Sequence, residues 1–401
     1  EAALELEKGG TLDVAGTLTS DNGQIVLNDA AENTVSVEKL AADSSLQVVA
    51  ASSLNDELGG DLTTFQKAIS IGNGAEGTRL LMREGLVAGE VTGVLKEDGS
   101  LDQSTVRTKT NSVMQATLEM AANMPLVMNR ILTNDIRKRL GDLRSSNGQY
   151  GAWARYDGGQ LSGSSLDVDF HTVQVGFDVM PASSSVRVGA AFSYTTGDTD
   201  YSRGSSDLDG YSLAAYGTWF NQNGLFVDVV GRVASFENDV SVDTRHSGSM
   251  DNLLVSLSTE AGWRFNLNEV AYFEPQVELT YSYIGDDDFD ISSARYQIDS
   301  TDSFMGRLGF VSGLTCPNNR GDVYLRASVI HEFLGDAKII GRTTGSTGVY
   351  ETDGADTWIE FGVGANFNLS QNAYIWADVE RTEGATIDED WRATLGVRYS
   401  W

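Results

Sequence analysis

The sequence predicts an all-β membrane protein: a 12-stranded antiparallel outer-membrane β-barrel with an N-terminal α-helix in the pore, preceded by a small β-rich segment. Three observations lead to this fold class. From residue 149 onward, twelve segments alternate apolar and polar residues, short and long connections alternate between them, and a basic helical stretch comes before the first segment. Strands that cross a bilayer need about 9–11 residues of this period-two pattern.

The composition limits what the chain can do. Its 401 residues suffice for two or more folding units, and a mean hydropathy of -0.21 without a long apolar run argues against transmembrane helices. Transmembrane β-strands stay possible, because their alternation makes them look hydrophilic on average. The net charge of -29 argues against a nucleic-acid partner. The single cysteine, Cys316, cannot form an internal disulfide.

Residues 1–102 are predicted to form the last coils of a β-solenoid. Short strands punctuated by Gly and Asn-Asp turns occupy 9–40, a short helix is predicted over 61–70, and a hairpin over 84–101. The region contains no recognisable catalytic arrangement or metal-ligand set. Because Glu1 is not preceded by an initiator methionine or a signal-peptide pattern, we expect the chain to be the end of something longer.

Residues 103–148 form a linker of a different kind. The stretch 103–144 is rich in Met, Leu and Ala at helical spacing, and Pro125 should break or kink it, which predicts helices over 105–123 and 126–141. Its last part carries five cations in an otherwise acidic chain: Arg130, Arg137, Lys138, Arg139 and Arg144. One interpretation is an ordinary amphipathic helix docked on a soluble domain. The other is a helix of about 10–12 Å diameter threaded through the barrel, with its cations facing acidic groups of the wall.

The predicted barrel occupies residues 149–401. Its twelve segments lie near 149–159, 167–180, 185–196, 207–221, 224–238, 252–267, 270–285, 302–316, 322–335, 355–369, 372–383 and 390–401. Short turns on one rim and longer loops on the other are typical of an outer-membrane barrel. A soluble β-sandwich also alternates, but its strands are shorter. Aromatic residues near segment ends favour the membrane alternative, as a girdle would require: Phe226, Phe273, Tyr281, Trp358, Tyr374, Tyr399 and Trp401.

The last segment, "WRATLGVRYSW", has one apolar and one polar face. The apolar face carries Trp391, Ala393, Leu395, Val397, Tyr399 and Trp401. Chain termini usually fray, so a strand kept to a final aromatic residue needs a reason.

Polar residues on a period of two should face the lumen, because an Arg or Lys facing lipid at mid-membrane costs about 2–4 kcal/mol. Three acidic residues follow this pattern in their segments: Asp228, Glu260 and Glu278. Asp228 shares its parity with Arg232, and Glu260 with Arg264. The alternative to any chemical role for these residues is a solvated, charge-lined channel.

Five motifs occur in an order that resembles the translocator domain of type Va autotransporters. They are "RKRLGDLR" (137–144), "GAWAR" (151–155), "FEPQVEL" (273–279), "MGRLG" (305–309) and the terminal "GVRYSW" (396–401). The resemblance covers about 110–401 and includes the pertactin-like adhesins and the serine-protease autotransporters. It implies a monomer in the Gram-negative outer membrane, among lipid and lipopolysaccharide, that exports its own N-terminal passenger to the cell surface without a cofactor or metal.

The resemblance also assigns roles to the two ends of the chain. Residues 1–102 would be the C-terminal end of the passenger, of the autochaperone type. Periplasmic chaperones and the barrel-assembly machinery would act on the barrel. The machinery would recognise the terminal strand by a signal that here corresponds to Leu395, Val397, Tyr399 and Trp401.

Many members of this family cleave themselves inside the barrel at an Asn a few residues before the "KRLG" element. That position is Asn134, followed by Asp135. The side-chain amide of Asn134 would attack its own backbone carbonyl, form a succinimide and expel Asp135 as a new N-terminus. Asp135 departs from the small or amide residue usual there. Its charge would raise the pKa of nearby carboxylates and so oppose cleavage, which leaves both a cleaved and an uncleaved barrel open.

The resemblance further matches Asp228 and Glu278 to the acidic positions beside the scissile Asn, and Arg307 to the basic residue that holds the second carboxylate. Glu260 is a further acid of the lumen. Other candidates are weaker, because the three histidines (His171, His246 and His331) have no metal spacing and "GDDDFD" (285–290) is typical of a solvated loop tip.

Two classes of function therefore stay open. The first is a secretion translocator, with or without self-cleavage. The second is a channel-forming outer-membrane protein or an uncleaved anchor of a surface adhesin, with no chemistry. The basic helix upstream of the first strand, together with Asn134, favours translocation.

Overall fold

The computed structural model describes residues 3–401 except 30–31, 86–87, 134–135, 142, 144–147, 164, 182–183, 243–245, 293, 318–319 and 344–346. The chain divides into two compact units. The first comprises Glu1–Leu118, Asp290–Tyr296 and Ile340–Val349, and the second comprises the remainder. No helix in the described ranges is long and apolar enough to cross a membrane.

The first unit contains stacked parallel strands. Its elements are β1 (Ala3–Leu6), β2 (Thr11–Leu18), β3 (Gly23–Leu27), β4 (Thr34–Leu40), β5 (Leu46–Ala50), α1 (Ser52–Leu58), α2 (Leu62–Gln66), β6 (Ile69–Asn73), β7 (Arg79–Met82), β8 (Val91–Leu95) and β9 (Leu101–Thr108). Strands β1, β3, β5 and β7 pair in parallel in one sheet, and β2, β4 and β6 in another. Successive strands alternate between the two sheets, as in the coils of a solenoid.

Apolar side chains stack between these coils. Ile25 lies opposite Val48, and Val48 opposite Leu80, so that each coil contributes one buried residue to the same column. The antiparallel strands β8 and β9 follow β7 in the same sheet. The hairpin predicted over 84–101 therefore lies over 91–108, and the helix predicted over 61–70 is the shorter α2.

Two helices follow, α3 (Ser112–Leu132) and α4 (Ile136–Leu140). Helix α3 begins where the Asn111 side chain accepts a hydrogen bond from the Met114 amide at 2.7 Å, which satisfies one of the free donors of the first turn. The predicted break at Pro125 is wrong, because α3 continues through this residue. A proline removes one helical hydrogen bond, and burial of the helix on both sides of it, at Met124 and Val127, outweighs that loss.

Among the described residues, twelve antiparallel strands close into a barrel. They are β10 (Tyr150–Gly163), β11 (Leu166–Val179), β12 (Val186–Tyr201), β13 (Gly204–Phe220), β14 (Leu225–Val242), β15 (His246–Trp263) with its short continuation β16 (Phe265–Asn266), β17 (Ala271–Ile284), β20 (Thr301–Thr315), β21 (Gly321–Glu332), β24 (Asp356–Asn368), β25 (Ala373–Glu383) and β26 (Ile387–Ser400). Each strand pairs with its neighbour, and β10 with β26 closes the ring. The predicted twelve-stranded fold is confirmed.

The barrel strands extend further on the long-loop side than the sequence predicts. The β10–β11 pairing continues to Gly163 opposite Leu166, and the β12–β13 pairing to Tyr201 opposite Gly204. Main-chain pairing needs no apolar face once the strand has left the bilayer, so Asp, Ser and Thr can continue it. Two longer connections contain a four-stranded sheet of β18 (Asp287–Ile291), β19 (Ala294–Ile298), β22 (Ala337–Arg342) and β23 (Thr347–Thr352).

The final strand has the two faces that its sequence predicts. Leu395 and Tyr399 are exposed on the outer surface, whereas Arg392 and Arg398 are buried inside. Trp401 is tied to the first barrel strand, because its amide and carbonyl each bond the main chain of Tyr150 at 2.9 Å. This pairing is the reason that the strand does not fray.

The predicted aromatic girdle is only partly correct. Phe273 and Tyr281 are exposed on the outer face, as are the terminal aromatic residues. The assignment is wrong for Phe226, Trp358 and Tyr374, which are buried inside the barrel. These three share their parity with polar residues of the lumen, and strand position decides the direction of a side chain regardless of its chemistry.

Candidate functional site in the barrel interior

Helix α4 presents three consecutive cations to the barrel wall, and all three are buried. Arg137 Nη2 pairs with Glu274 Oε1 at 3.4 Å, and Arg139 Nη2 pairs with Asp228 Oδ2 at 2.6 Å. Lys138 Nζ, between them, pairs with Glu360 Oε2 at 3.1 Å and with Glu380 Oε1 at 2.6 Å. Successive helix residues point about 100° apart, so three in a row reach different strands. The threaded helix is therefore the correct interpretation of the basic stretch.

The wall also satisfies the carbonyl groups of α4. Arg155 Nη1 and Trp376 Nε1 donate to the Lys138 carbonyl at 3.0 and 3.1 Å, and the Tyr374 hydroxyl donates to the Leu140 carbonyl at 2.7 Å. A helix this short leaves most of its carbonyls without an internal donor. The inward aromatic residues of β25 supply two of the missing partners.

Asn134 and Asp135 lie outside the described residues, but both flanks of the pair are described. Thr133 bonds the Asn129 carbonyl through its amide at 3.0 Å and its hydroxyl at 2.8 Å. On the other side, the Ile136 amide donates to Glu260 Oε2 at 2.8 Å. A carboxylate at the first amide of a helix is favourable, because that end of a helix carries partial positive charge.

The four predicted lumen residues form a single row across neighbouring strands. Asp228 on β14 lies opposite Glu260 on β15, and Glu260 lies opposite Glu278 on β17. Glu278 in turn lies opposite Arg307 on β20. Directly opposed side chains in an antiparallel sheet have Cβ atoms about 4.5–5.5 Å apart. The alternation pattern placed the three acids inside the barrel and the family resemblance added Arg307, and strand register brings the four side by side.

Hydrogen bonds and ion pairs connect this row. Arg307 donates through Nε to Glu278 Oε2 at 2.8 Å and lies with Nη2 3.2 Å from Glu260 Oε1. Glu278 also accepts from the Ser258 hydroxyl at 2.8 Å. Asp228 accepts from the Thr218 hydroxyl and from Arg139. Arg307 thus holds two neighbouring carboxylates, while Asp228 faces α4.

A small cavity of about 50 Å³ reaches this row. Its lining includes Thr133, Glu278, Thr280 and Arg307, so it extends from the residue before Asn134 to the Glu278–Arg307 end of the row. Within the described ranges, no group of three or more His, Cys, Asp or Glu residues is arranged to hold a metal ion.

Sequence reasoning missed two arginines that bind the end of α3. Arg392 Nη2 donates to the Ile131 carbonyl at 2.8 Å, and Arg232 Nη1 donates to the Leu132 carbonyl. The parity of both residues predicted an inward direction. Nothing in the local pattern indicated that their partners would be helix carbonyls rather than acidic side chains.

A family model for the autotransporter β-domain matches residues 149–380, which covers the barrel from its first strand almost to the end of β25. The chain belongs to the autotransporter family. Its barrel is an outer-membrane translocator domain of a Gram-negative bacterium, and the passenger part belongs at the cell surface.

Individual relatives agree with the family assignment. The autotransporter adhesin/invasin TibA of Escherichia coli is 30% identical over 316 residues, covering 74% of this chain and 31% of TibA. The pertactin autotransporter of Bordetella parapertussis is 29% identical over 285 residues, covering 67% of this chain and 30% of pertactin. The chain thus spans less than a third of the length of these two relatives.

The translocator domain of NalP from Neisseria meningitidis has the same fold. The two structures superpose with a TM-score of 0.57 at 13% identity, covering 72% of this chain and 99% of the NalP domain.

Proposed function

We propose that this autotransporter domain exports its own N-terminal passenger through the barrel and then cleaves the chain between Asn134 and Asp135. In this proposal, residues 1–102 are the C-terminal end of the passenger, 103–148 are the linker with the pore helix, and 149–401 are the translocator. The buried ion pairs of α4 support a chain that ends its passage inside the pore.

The proposal includes the partners of assembly. Lipid and lipopolysaccharide would surround the outer apolar face, and periplasmic chaperones would deliver the monomer. The barrel-assembly machinery would recognise the terminal strand by its outward residues Leu395, Val397, Tyr399 and Trp401, which are all about half exposed.

One observation carries the cleavage proposal: Glu260 accepts the amide of Ile136, one residue beyond Asp135, and stands in register between Asp228 and Glu278. Glu260 thus contacts the first described residue after Asp135, and Asp228 and Glu278 lie on the strands to either side of Glu260. A positioned carboxyl group can accelerate proton transfer by about 10²–10⁴-fold.

The chemistry requires one proton to move between two nitrogens. The Asn134 side-chain nitrogen forms a bond to the Asn134 carbonyl carbon and loses a proton. The bond from that carbon to the Asp135 nitrogen breaks, and the Asp135 nitrogen gains a proton. Asn134 ends as a succinimide, and no oxidant, reductant or cofactor is consumed.

The three carboxylates would divide this work according to their partners. Glu278 and Glu260 share Arg307, which keeps them near the cavity that reaches Thr133, and they would carry the proton. Asp228 is bonded to Arg139 of α4, and it would hold the segment on the carboxyl side of the cut. Effective alignment of reacting groups contributes about 7–11 kcal/mol in favourable intramolecular cases.

Intact mass of the full chain from outer membranes tests the proposal. The wild type should yield fragments 1–134 and 135–401, and Asn134→Ala should stay whole. Asn123→Ala is a matched control, because its amide bonds the Glu119 carbonyl of its own helix and it should be cleaved normally. A single uncut wild-type chain would refute self-cleavage.

The second candidate is an uncleaved translocator that keeps a surface adhesin tethered. The identity of Asp135 favours it, because a negative charge next to the cleavage site would oppose the ionisation of nearby carboxylates and disturb proton transfer. Asp135→Asn distinguishes the two candidates: it should speed cleavage in the first and create no cleavage in the second.

A further inference from the structure

The last turn of α3 ends between two arginines that come from different parts of the barrel wall. Arg232 lies on β14 and Arg392 on β26, and both side chains are buried. Between them they bond the final three carbonyls of α3, those of Arg130, Ile131 and Leu132. These carbonyls have no donor within their own helix, because the helix stops at Leu132.

We infer that Arg232 and Arg392 are positioning residues for cleavage: they fix the end of α3 so that the Asn134–Asp135 bond meets the row of carboxylates. This inference rests on the proposed self-cleavage. It adds two residues that act through the end of the helix.

Arg392 is itself held rigidly. Its Nε and Nη2 donate to the two oxygens of Asp157 on β10 at 2.9 and 2.7 Å. The planar guanidinium also donates to the carbonyls of Ile131, at 2.8 Å, and Arg130, at 3.3 Å, while Nη1 makes a further bond to Glu389 Oε1 at 3.2 Å. A fork fixed by a carboxylate has little freedom to rotate, so it holds the helix end in one place.

Arg232 differs from a buried arginine that forms a structural ion pair. In the described part of the chain it bonds no carboxylate, and its hydrogen bond goes to the Leu132 carbonyl. The acid of the same face, Asp228, is bonded to Arg139 instead. A buried guanidinium without its own acid is costly, and an apolar side chain would fill the same space at lower cost. Such a residue is more readily explained by function than by stability.

The described residues on both sides of Asn134 and Asp135 are bound to the barrel wall. Cations bind the carbonyls before them, and Glu260 binds the Ile136 amide after them. Cyclisation of Asn134 develops negative charge on its carbonyl oxygen, and the end of a helix carries partial negative charge that would oppose this. The two arginines offset that charge as well as fixing the geometry.

The test is the rate of cleavage per folded barrel in the full chain, measured by pulse-chase in outer membranes. Folded barrels are separated from unfolded chains by their mobility in unheated gels. We expect Arg232→Met and Arg392→Met each to slow cleavage at least tenfold, and Arg232→Lys and Arg392→Lys to recover part of the rate. A purely structural arginine would change the amount of folded barrel and leave the rate per barrel unchanged.

Arg187→Met is the matched control, because Arg187 is a buried arginine of the wall that bonds Asp178 at 2.7 Å and the Gly148 carbonyl at 2.9 Å. It should be cleaved at the wild-type rate. If the Met variants give no folded barrel, the Lys variants decide: a rate several-fold below wild type supports the inference, and the wild-type rate overturns it.

The outcomes distinguish this inference from the self-cleavage proposal on which it rests. An uncut wild type removes both. A wild type that is cut, with Met variants cut equally fast, overturns the positioning role alone and leaves the self-cleavage proposal intact.

Discussion

Replacing Lys138 with Met tests how firmly the barrel wall holds α4. Lys138 Nζ lies 2.6 Å from Glu380 and 3.1 Å from Glu360, and all three side chains are buried. Removing one partner of a buried ion pair costs about 3–5 kcal/mol, because the remaining charge is left in a low-dielectric site. Methionine keeps the length of the side chain, so the lost charge dominates the effect.

The structure places the expected cost at the lower end of that range. Glu380 keeps a contact with Arg326 and lies 3.9 Å from Arg392 Nε, so it retains positive charge nearby. Glu360 loses its 3.1 Å contact with Lys138 as well. We expect a loss of about 3 kcal/mol in the free energy that keeps α4 seated, which corresponds to roughly a 100-fold change in the ratio of open to closed pores.

Single-channel recordings of the purified full chain in planar bilayers measure this ratio directly. Lys138→Met should open about 100-fold more often than wild type. Adding Glu360→Gln should reverse part of the change, because it removes one of the two negative charges that Lys138 neutralises. Lys109→Met serves as control, because Lys109 is exposed and pairs with Glu90 in the first unit. An open probability equal to that of wild type, in a folded Lys138→Met barrel, would refute the reasoning.

Two further predictions concern the barrel wall and the first unit. A Cβ atom at Gly396 would lie 2.1–2.5 Å from the Trp376 ring, so Gly396→Val should lower barrel stability by about 1–3 kcal/mol in gel-based thermal unfolding. Gly231→Ala is the control and should not lower it, because a Cβ atom at Gly231 would have no other atom within 4 Å. Asp61 caps α2 by accepting from Thr63 and Thr64, and hydrogen bonds from the Thr64 side chain and amide lower its pKa from the ordinary 3.8. A lowered pKa means that the cap stabilises α2 above pH 3.8 and is lost as the pH falls through the folded-state value. Asp61→Ala should therefore speed hydrogen exchange of α2 at pH 7, because it lowers the free energy of opening α2 by about 1 kcal/mol or less. In strong acid the same substitution should have little effect.

Part of the candidate site could be predicted from local pattern. Asp228, Glu260 and Glu278 were assigned to the lumen because alternate residues of a strand point to opposite faces, and the structure buries all three. The same rule contradicts the assignment of Phe226 to the outer girdle, since it shares its parity with Asp228. Where residue chemistry replaced parity as the criterion, the prediction was wrong.

Other parts depended on contacts that no local pattern contains. Pro125 suggested a helix break, yet α3 continues because buried side chains around the proline stabilise it. Arg232 had the parity of a lumen residue, but its partner is the Leu132 carbonyl, 100 residues earlier in the chain. Neither result follows from neighbouring residues, because both depend on what packs against them.

The sequence by itself determined the number of strands, the inner and outer faces of each strand, and the basic character of the helix in the pore. These features follow from the alternation of side chains along a strand and from the cost of placing charge in lipid, and both act within a few residues. Tertiary structure decided the strand register, and with it the row of Asp228, Glu260, Glu278 and Arg307. Register is fixed by pairing between distant segments, so only the closed barrel could bring these four side chains together beside the end of α3.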